Sequence, residues 1–140
     1  MTEWRPPHAH WPGITPRHAE GLFDAFRTVR FPLEDAPGWQ AGLAFLRDGF
    51  FWEAHEVWEP LWMAAPPNSP ERCLLRGLIQ AANAGLKRAM GRPRAAARLD
   101  AIAGRALQEA FARARGGRVM GLSSEECFDL CNIMQSDTDI

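Results

Sequence analysis

The stretch FFWEAHEVWEPLW, residues 50–62, sets one imidazole and three carboxylates among phenylalanine and tryptophan side chains. On a helix turning about 100° per residue, Phe50, Val57, Leu61, Ala54, Trp58, Phe51 and Trp62 form one continuous apolar arc. His55 falls at the edge of that arc. Glu59 follows about 40° further round and one turn along, Glu56 comes next, and Glu53 faces away. The sequence thus places an imidazole and a carboxylate at i and i+4, shielded by Trp52, Trp58 and Trp62. Such a pair can hold one histidine tautomer, tune its proton affinity or share a metal ion. Pro60 cannot supply the amide that would bond the Glu56 carbonyl, and it disfavours helical geometry at Glu59, so a kink or helix end is expected there.

Each chemistry leaves a different trace. A zinc-hydrolase helix carries two histidines four apart, whereas HEVWE has Glu59 in the second position. A ferritin-like di-metal site needs Glu-x-x-His on two helices, while Glu53 and His55 are two apart and the next helix offers Gln80 and Asn83. His55 and Glu59 are therefore weak metal candidates. Acid–base catalysis by His55, with Glu56 and Glu59, fits the spacing, but no serine or cysteine nucleophile is paired with it. A hydrogen-bonded His-Glu-Gln network or a ligand pocket explains the same residues, because buried polar groups need partners. A partner surface comes from residues 72–90, where Leu74, Leu75, Leu78, Ile79, Leu86 and Met90 form an apolar arc beside a polar stripe of Arg76, Gln80, Asn83 and Lys87. Arg76 and Gln80 are expected to meet Glu59, Glu56 or His55, with Gly77, Ala81 and Gly85 allowing close approach. His8, His10 and Trp11 in a Pro-rich N-terminal arm, residues 1–14, offer a further ligand or lid, or simply packed or mobile surface.

These residues require helices to position them, and the rest of the chain reads as helical. Gly and Pro punctuate apolar positions of helical period, and no β-branched run suggests a strand. Thr15 and Pro16 signal a helix to about Arg30; PGWQAGLAFLRDG predicts a short one ending at Asp48-Gly49. The opening stretch is the third. Ser69-Pro70 starts a helix of about twenty residues to Gly91, and Pro93 opens another that Gly116-Gly117 closes. A three-residue link makes these two a central antiparallel pair. Ser123 with Glu126 is a capping box for a last short helix before a polar tail, residues 136–140. The expected fold is all-α, a compact bundle of about five to six helices in one domain.

With 140 residues, 46% hydrophobic and 24% charged, the chain is long enough to bury one core. No run approaches a membrane span and the first residues lack a signal-peptide layout, so a cytoplasmic protein with no membrane role is expected. Cys73, Cys127 and Cys131 make neither an even disulfide set nor a paired metal motif; Cys127 and Cys131 share a helical face and read as small buried hydrophobes. The net charge of −1 hides a basic middle: residues 76–118 carry +8, between −4 before and −5 after. Those arginines, among them Arg88, Arg92, Arg94 and Arg98, spread round helix faces with no aromatic stripe for stacking, so no nucleic-acid partner is expected.

Gly49, Phe50 and Phe51, then EAHEVWEPLW, then GLIQAA at 77–82 resemble the small prokaryotic proteins grouped as domain of unknown function 309. The resemblance spans roughly residues 38–122 and implies a compact helical bundle. By motif position it singles out His55, Glu56, Glu59, Trp62, Gly77 and Gln80, and it brings no activity. The sequence therefore reads as a helical domain with a polar pocket of Trp52, His55, Glu56, Glu59, Trp62, Arg76 and Gln80, binding a small ligand or a protein partner; the alternative is a hydrolase-like enzyme using His55 with Glu56 and Glu59. Cofactor and ligand stay unassigned, and a homo-oligomer stays open.

Overall fold

The computed structural model describes residues 4–136 and is an all-α bundle. Its helices are α1 (Pro37–Arg47), α2 (Phe51–Ala64), α3 (Pro70–Ala89), α4 (Pro93–Arg113) and α5 (Ser124–Ser136), after short 3-10 turns at Asp24–Arg27 and Leu33–Asp35. Among the described residues, extended pairing is limited to an isolated bridge between Val119 and Leu122. Residues 137–140 of the expected polar tail lie outside the described residues.

Local chemistry accounts for the helix starts. Ser69 Oγ accepts the Arg72 amide at 3.1 Å, and proline occupies the first turn of α1, α3 and α4. At α5 the capping box closes both ways: the Glu126 amide donates to Ser123 Oγ and the Ser123 amide to Glu126 Oε1. The Ser123 amide, with the Ser123 hydroxyl and Arg118, holds the Glu126 carboxyl below its ordinary value.

α1 packs on α2, α2 on α3 and α3 on α4, the last pair forming the largest interface, while α5 packs on α1 and α3. Gly77 faces Leu107 and Arg88 pairs with Asp100, which is the register of an antiparallel pair. A Cβ at Gly77 would come within 2.6 Å of Leu107, and one at Gly85 within 2.7 Å of Phe51. The small residues of α3 thus serve two neighbours, α4 at Gly77 and α2 at Gly85, and not α2 alone. The deepest layer holds Trp39, Trp58, Phe45, Leu61, Leu74 and Leu78. Both buried indoles find acceptors: Trp58 donates to the Trp39 carbonyl at 3.3 Å and Trp39 to that of Met120 at 3.1 Å.

Two expectations fail. Residues 15–30 are not an α-helix, because their caps are used elsewhere. Thr15 Oγ1 accepts the Trp11 amide at 2.7 Å, the Pro16 carbonyl is taken by the rings of His8 and His10, and the chain turns at Gly21 with φ +80°. The segment instead lies irregularly over α1 and α2, fixed by contacts of Trp4, Phe23 and Phe26 with Phe45. Pro60 does not end α2, which runs on to Ala64. Pro60 and Glu56 both lie on its partly exposed side, where water can bond the released carbonyl and the ring meets no core.

Candidate functional site

Helix α2 buries Ala54, Val57, Trp58 and Leu61 and leaves a polar flank on each side of that stripe. On the flank facing α3, His55 Nδ1 lies 3.0 Å from Asn83 Oδ1 and His55 Nε2 lies 2.9 Å from Glu59 Oε2. Asn83 Nδ2 donates in turn to Gln80 Oε1 at 3.2 Å. The result is a continuous chain, Gln80–Asn83–His55–Glu59, across two helices. With both ring nitrogens facing oxygens, this polarity suits an imidazole that donates twice. Turning both amides over reverses the chain and suits a neutral ring that accepts from Asn83 and donates to Glu59, so the network accommodates either protonation state.

His55 and Glu59 keep 29% and 44% of their side-chain surface exposed. Together with Trp62, Arg76, Ile79, Gln80 and Asn83 they line an open pocket of about 230 Å³. Trp62 carries a buried indole N–H with no protein partner, and the Arg72 guanidinium lies 4.9 Å over its ring while donating to the Ala65 carbonyl. Gln80 and Arg76 can donate into this pocket, and Trp62 lines both it and a second groove shared with Arg72 and Arg113.

On the opposite flank the carboxylate itself is enclosed. Glu53, expected to face away from the core, is completely buried. Its Oε2 accepts the His10 amide at 2.8 Å and lies 2.6 Å from His18 Nε2. His18 is stacked on His8 at 4.5 Å and meets Phe23 edge-on at 5.0 Å, while His10 meets Trp52 edge-on at 4.8 Å. His18 Nδ1 and Glu53 Oε1 are buried without a protein partner. The arm thus covers Glu53, not the His55 pocket.

Of the residues singled out by sequence, the structure brings together His55, Glu59, Trp62, Arg76 and Gln80. Gln80 reaches His55 through Asn83, not directly. Trp52 and Glu56 lie on the other flank; Glu56 faces Arg27 at 3.7 Å in a groove of about 510 Å³ that Trp52 and His18 also line. The Glu56 position follows from the 100° step, which carries it past Glu59 and away from α3. The sequence places Asn83 on the polar stripe one turn beyond Gln80 but does not single it out as the partner of His55, and it gives no periodicity that would signal His18. Among the described residues no group of three or more His, Cys, Asp or Glu could hold a metal ion. Among the described residues no helix is long and apolar enough to cross a membrane. In the basic segment, Arg88 pairs with Asp100, Arg113 with Glu109, and Arg118 with Glu126.

Residues 39–99 match the model of a protein family described as a domain of unknown function (DUF309), the family that the EAHEVWEPLW and GLIQAA segments resemble. The matched span contains Glu53, His55, Glu59, Gln80 and Asn83, whereas His8, His10 and His18 precede it. No curated protein and no solved structure matches the chain.

Proposed function

We propose that this helical domain is a binding module whose pocket, between α2 and α3, takes the acidic group of a small ligand or of a partner's side chain. The observation that carries the reading is a buried indole N–H without a protein partner on Trp62, which lines the pocket with Gln80 and Arg76. A buried N–H left unbonded costs about 1–3 kcal/mol, and a carboxylate oxygen placed there would recover much of it. A volume of about 230 Å³ is below the roughly 300–1,000 Å³ of pockets for drug-sized ligands, so the occupant has few heavy atoms or is one side chain.

Acid–base or metal-assisted catalysis at His55, the alternative reading, requires more rearrangement. Each ring nitrogen already has an oxygen partner, so proton abstraction or metal ligation must first break one of those bonds. Glu56 stands in another groove and cannot assist. Binding needs neither change.

The test is an NMR titration of the indole N–H resonances with acetate, succinate and glutamate, and with a short peptide bearing glutamate side chains. The Trp62 resonance, assigned with Trp62→Phe, is expected to shift with at least one titrant at millimolar concentration, and Arg76→Ala to weaken the response. Response to the free acids points to a small ligand; response to the peptide alone points to a protein partner. A Trp62 signal unmoved by every titrant overturns the reading.

A further inference from the structure

Away from this pocket, a groove of about 260 Å³ separates α4 from α5. Its walls are mostly apolar, built from Ala103, Leu107 and Phe111 of α4 and from the exposed Phe128 of α5, with Asp100, Gln108, Ser124 and Asn132 as the polar lining. Two free thiols on successive turns of α5 line it together: Cys127, 1% exposed, and Cys131, partly buried. The pair is asymmetric. A hydrogen bond from the Cys127 thiol holds Cys131 below the ordinary thiol value, against burial and the charge of Asp100, while that bond and burial push Cys127 up.

Spacing decides what two such thiols can do. Residues four apart on a helix have Cβ atoms about 5–6 Å apart, whereas a disulfide requires roughly 3.5–4.5 Å, so direct S–S closure would unwind a turn of α5. A single bridging atom with bonds to sulfur of about 2.3 Å spans the gap without that distortion. Zinc wants four donors, and the groove supplies two. A monovalent soft ion held by two thiolates leaves a net negative charge against mostly apolar walls, which is costly. Charge and coordination are both satisfied by a species that takes two sulfurs, ends neutral and carries an apolar substituent to fill the groove.

We infer that Cys127 and Cys131 form a two-thiol capture site for a monosubstituted trivalent arsenical or a chemically equivalent soft electrophile, its organic group seated between α4 and α5. The exchange is balanced and involves no redox change. For an arsonous acid R–As(OH)2, two As–O and two S–H bonds break, two As–S bonds form, and two waters leave. The second thiol attacks intramolecularly, which strengthens capture by about 10²–10⁴ over one thiol.

The experiment treats the intact chain with one equivalent of phenylarsine oxide, challenges it with excess glutathione, and reads the adduct by intact mass under native conditions. A single adduct is expected, surviving glutathione and removed by a small dithiol. Cys73→Ser should keep it, and Cys131→Ser should lose it with apparent affinity down about 10²–10⁴-fold. Cys127→Ser should behave likewise; because Cys127 is buried, the partly exposed Cys131 carries the conclusion, with helical content checked by circular dichroism. No glutathione-resistant adduct on the parent chain, or an undiminished one on Cys131→Ser, overturns the inference. So does quantitative closure of a Cys127–Cys131 disulfide by diamide with helicity unchanged, since that defeats the spacing argument.

Discussion

The two flanks of α2 carry the same pair of functional groups, an imidazole and a glutamate, in opposite surroundings. His18 and Glu53, 2.6 Å apart, keep 3% and 0% of their side-chain surface; His55 and Glu59, 2.9 Å apart, keep 29% and 44%. In the closed pair, attraction and desolvation are both large, and each partner depends on the other. In the open pair water screens the attraction and competes for each hydrogen bond. The closed pair joins residues 35 apart in sequence and ties the N-terminal segment to α2, whereas the open pair joins successive turns of one helix. The closed pair is therefore a fastening, and the open pair lies on an accessible surface.

If so, the largest effect of any change at these residues should follow Glu53→Ala. It removes the acceptor for the His10 amide and leaves the His18 ring buried beside an apolar gap, a loss of about 3–5 kcal/mol. For a chain of this length the melting temperature should fall by roughly 10 °C or more. Limited trypsin digestion should also cut at Arg17 and Arg27 before the helices, since the segment that Glu53 anchors is released first. A melting temperature within about 2 °C of the parent would show that the closed pair fastens nothing. Next in size, His18→Ala should cost about 1–3 kcal/mol and more than His8→Ala, because His8 stacks on the outside of His18 and bonds only the Pro16 carbonyl. Equal unfolding midpoints in urea for the two variants would remove His18 from the fastening.

These differences mark where sequence reading stops. The helices of the bundle were legible because each is signalled by its own residues: Ser69-Pro70, Pro93, Gly91 and the Ser123–Glu126 box act within a turn or two of themselves. The His55–Glu59 pair was legible for the same reason, as an i, i+4 relation. Glu53 was not, because its burial depends on a segment about 40 residues earlier that forms no regular structure and so has no period to read. The same irregularity misplaces the first helix: Thr15 and Pro16 carry start signals, but local hydrogen bonds to Trp11, His8 and His10 outcompete them. Gln80 was placed on the correct face, yet its link to His55 runs through Asn83, a choice between neighbours on one stripe that only side-chain geometry decides.

On the open flank, His55→Ala should cost about 1 kcal/mol or less, since water can reach Asn83 and Glu59 once the ring is gone. The sharper readout is structural: the Asn83 and Gln80 side-chain amide resonances should lose their distinct shifts as the chain of hydrogen bonds opens. A loss of stability matching that of His18→Ala would mean the two flanks are equally structural, and the contrast between them would fail.

The smallest effect is expected for Glu59→Gln. The amide oxygen keeps an acceptor for His55 Nε2, and the carboxylate it replaces is 44% exposed, so the lost attraction is already discounted by solvent and stability should change by only a few tenths of a kcal/mol. Removing its negative charge also lowers repulsion toward an acidic group entering beside Arg76 and Trp62. Glu59→Gln is therefore expected to leave the melting curve nearly unchanged while shifting the Trp62 indole titration to lower carboxylate concentration by about two- to fivefold, a modest change suited to a screened charge. Weaker binding of every titrant would place Glu59 among the groups that hold the ligand directly, and the occupant would then need a hydrogen-bond donor or a cation as well as its acid.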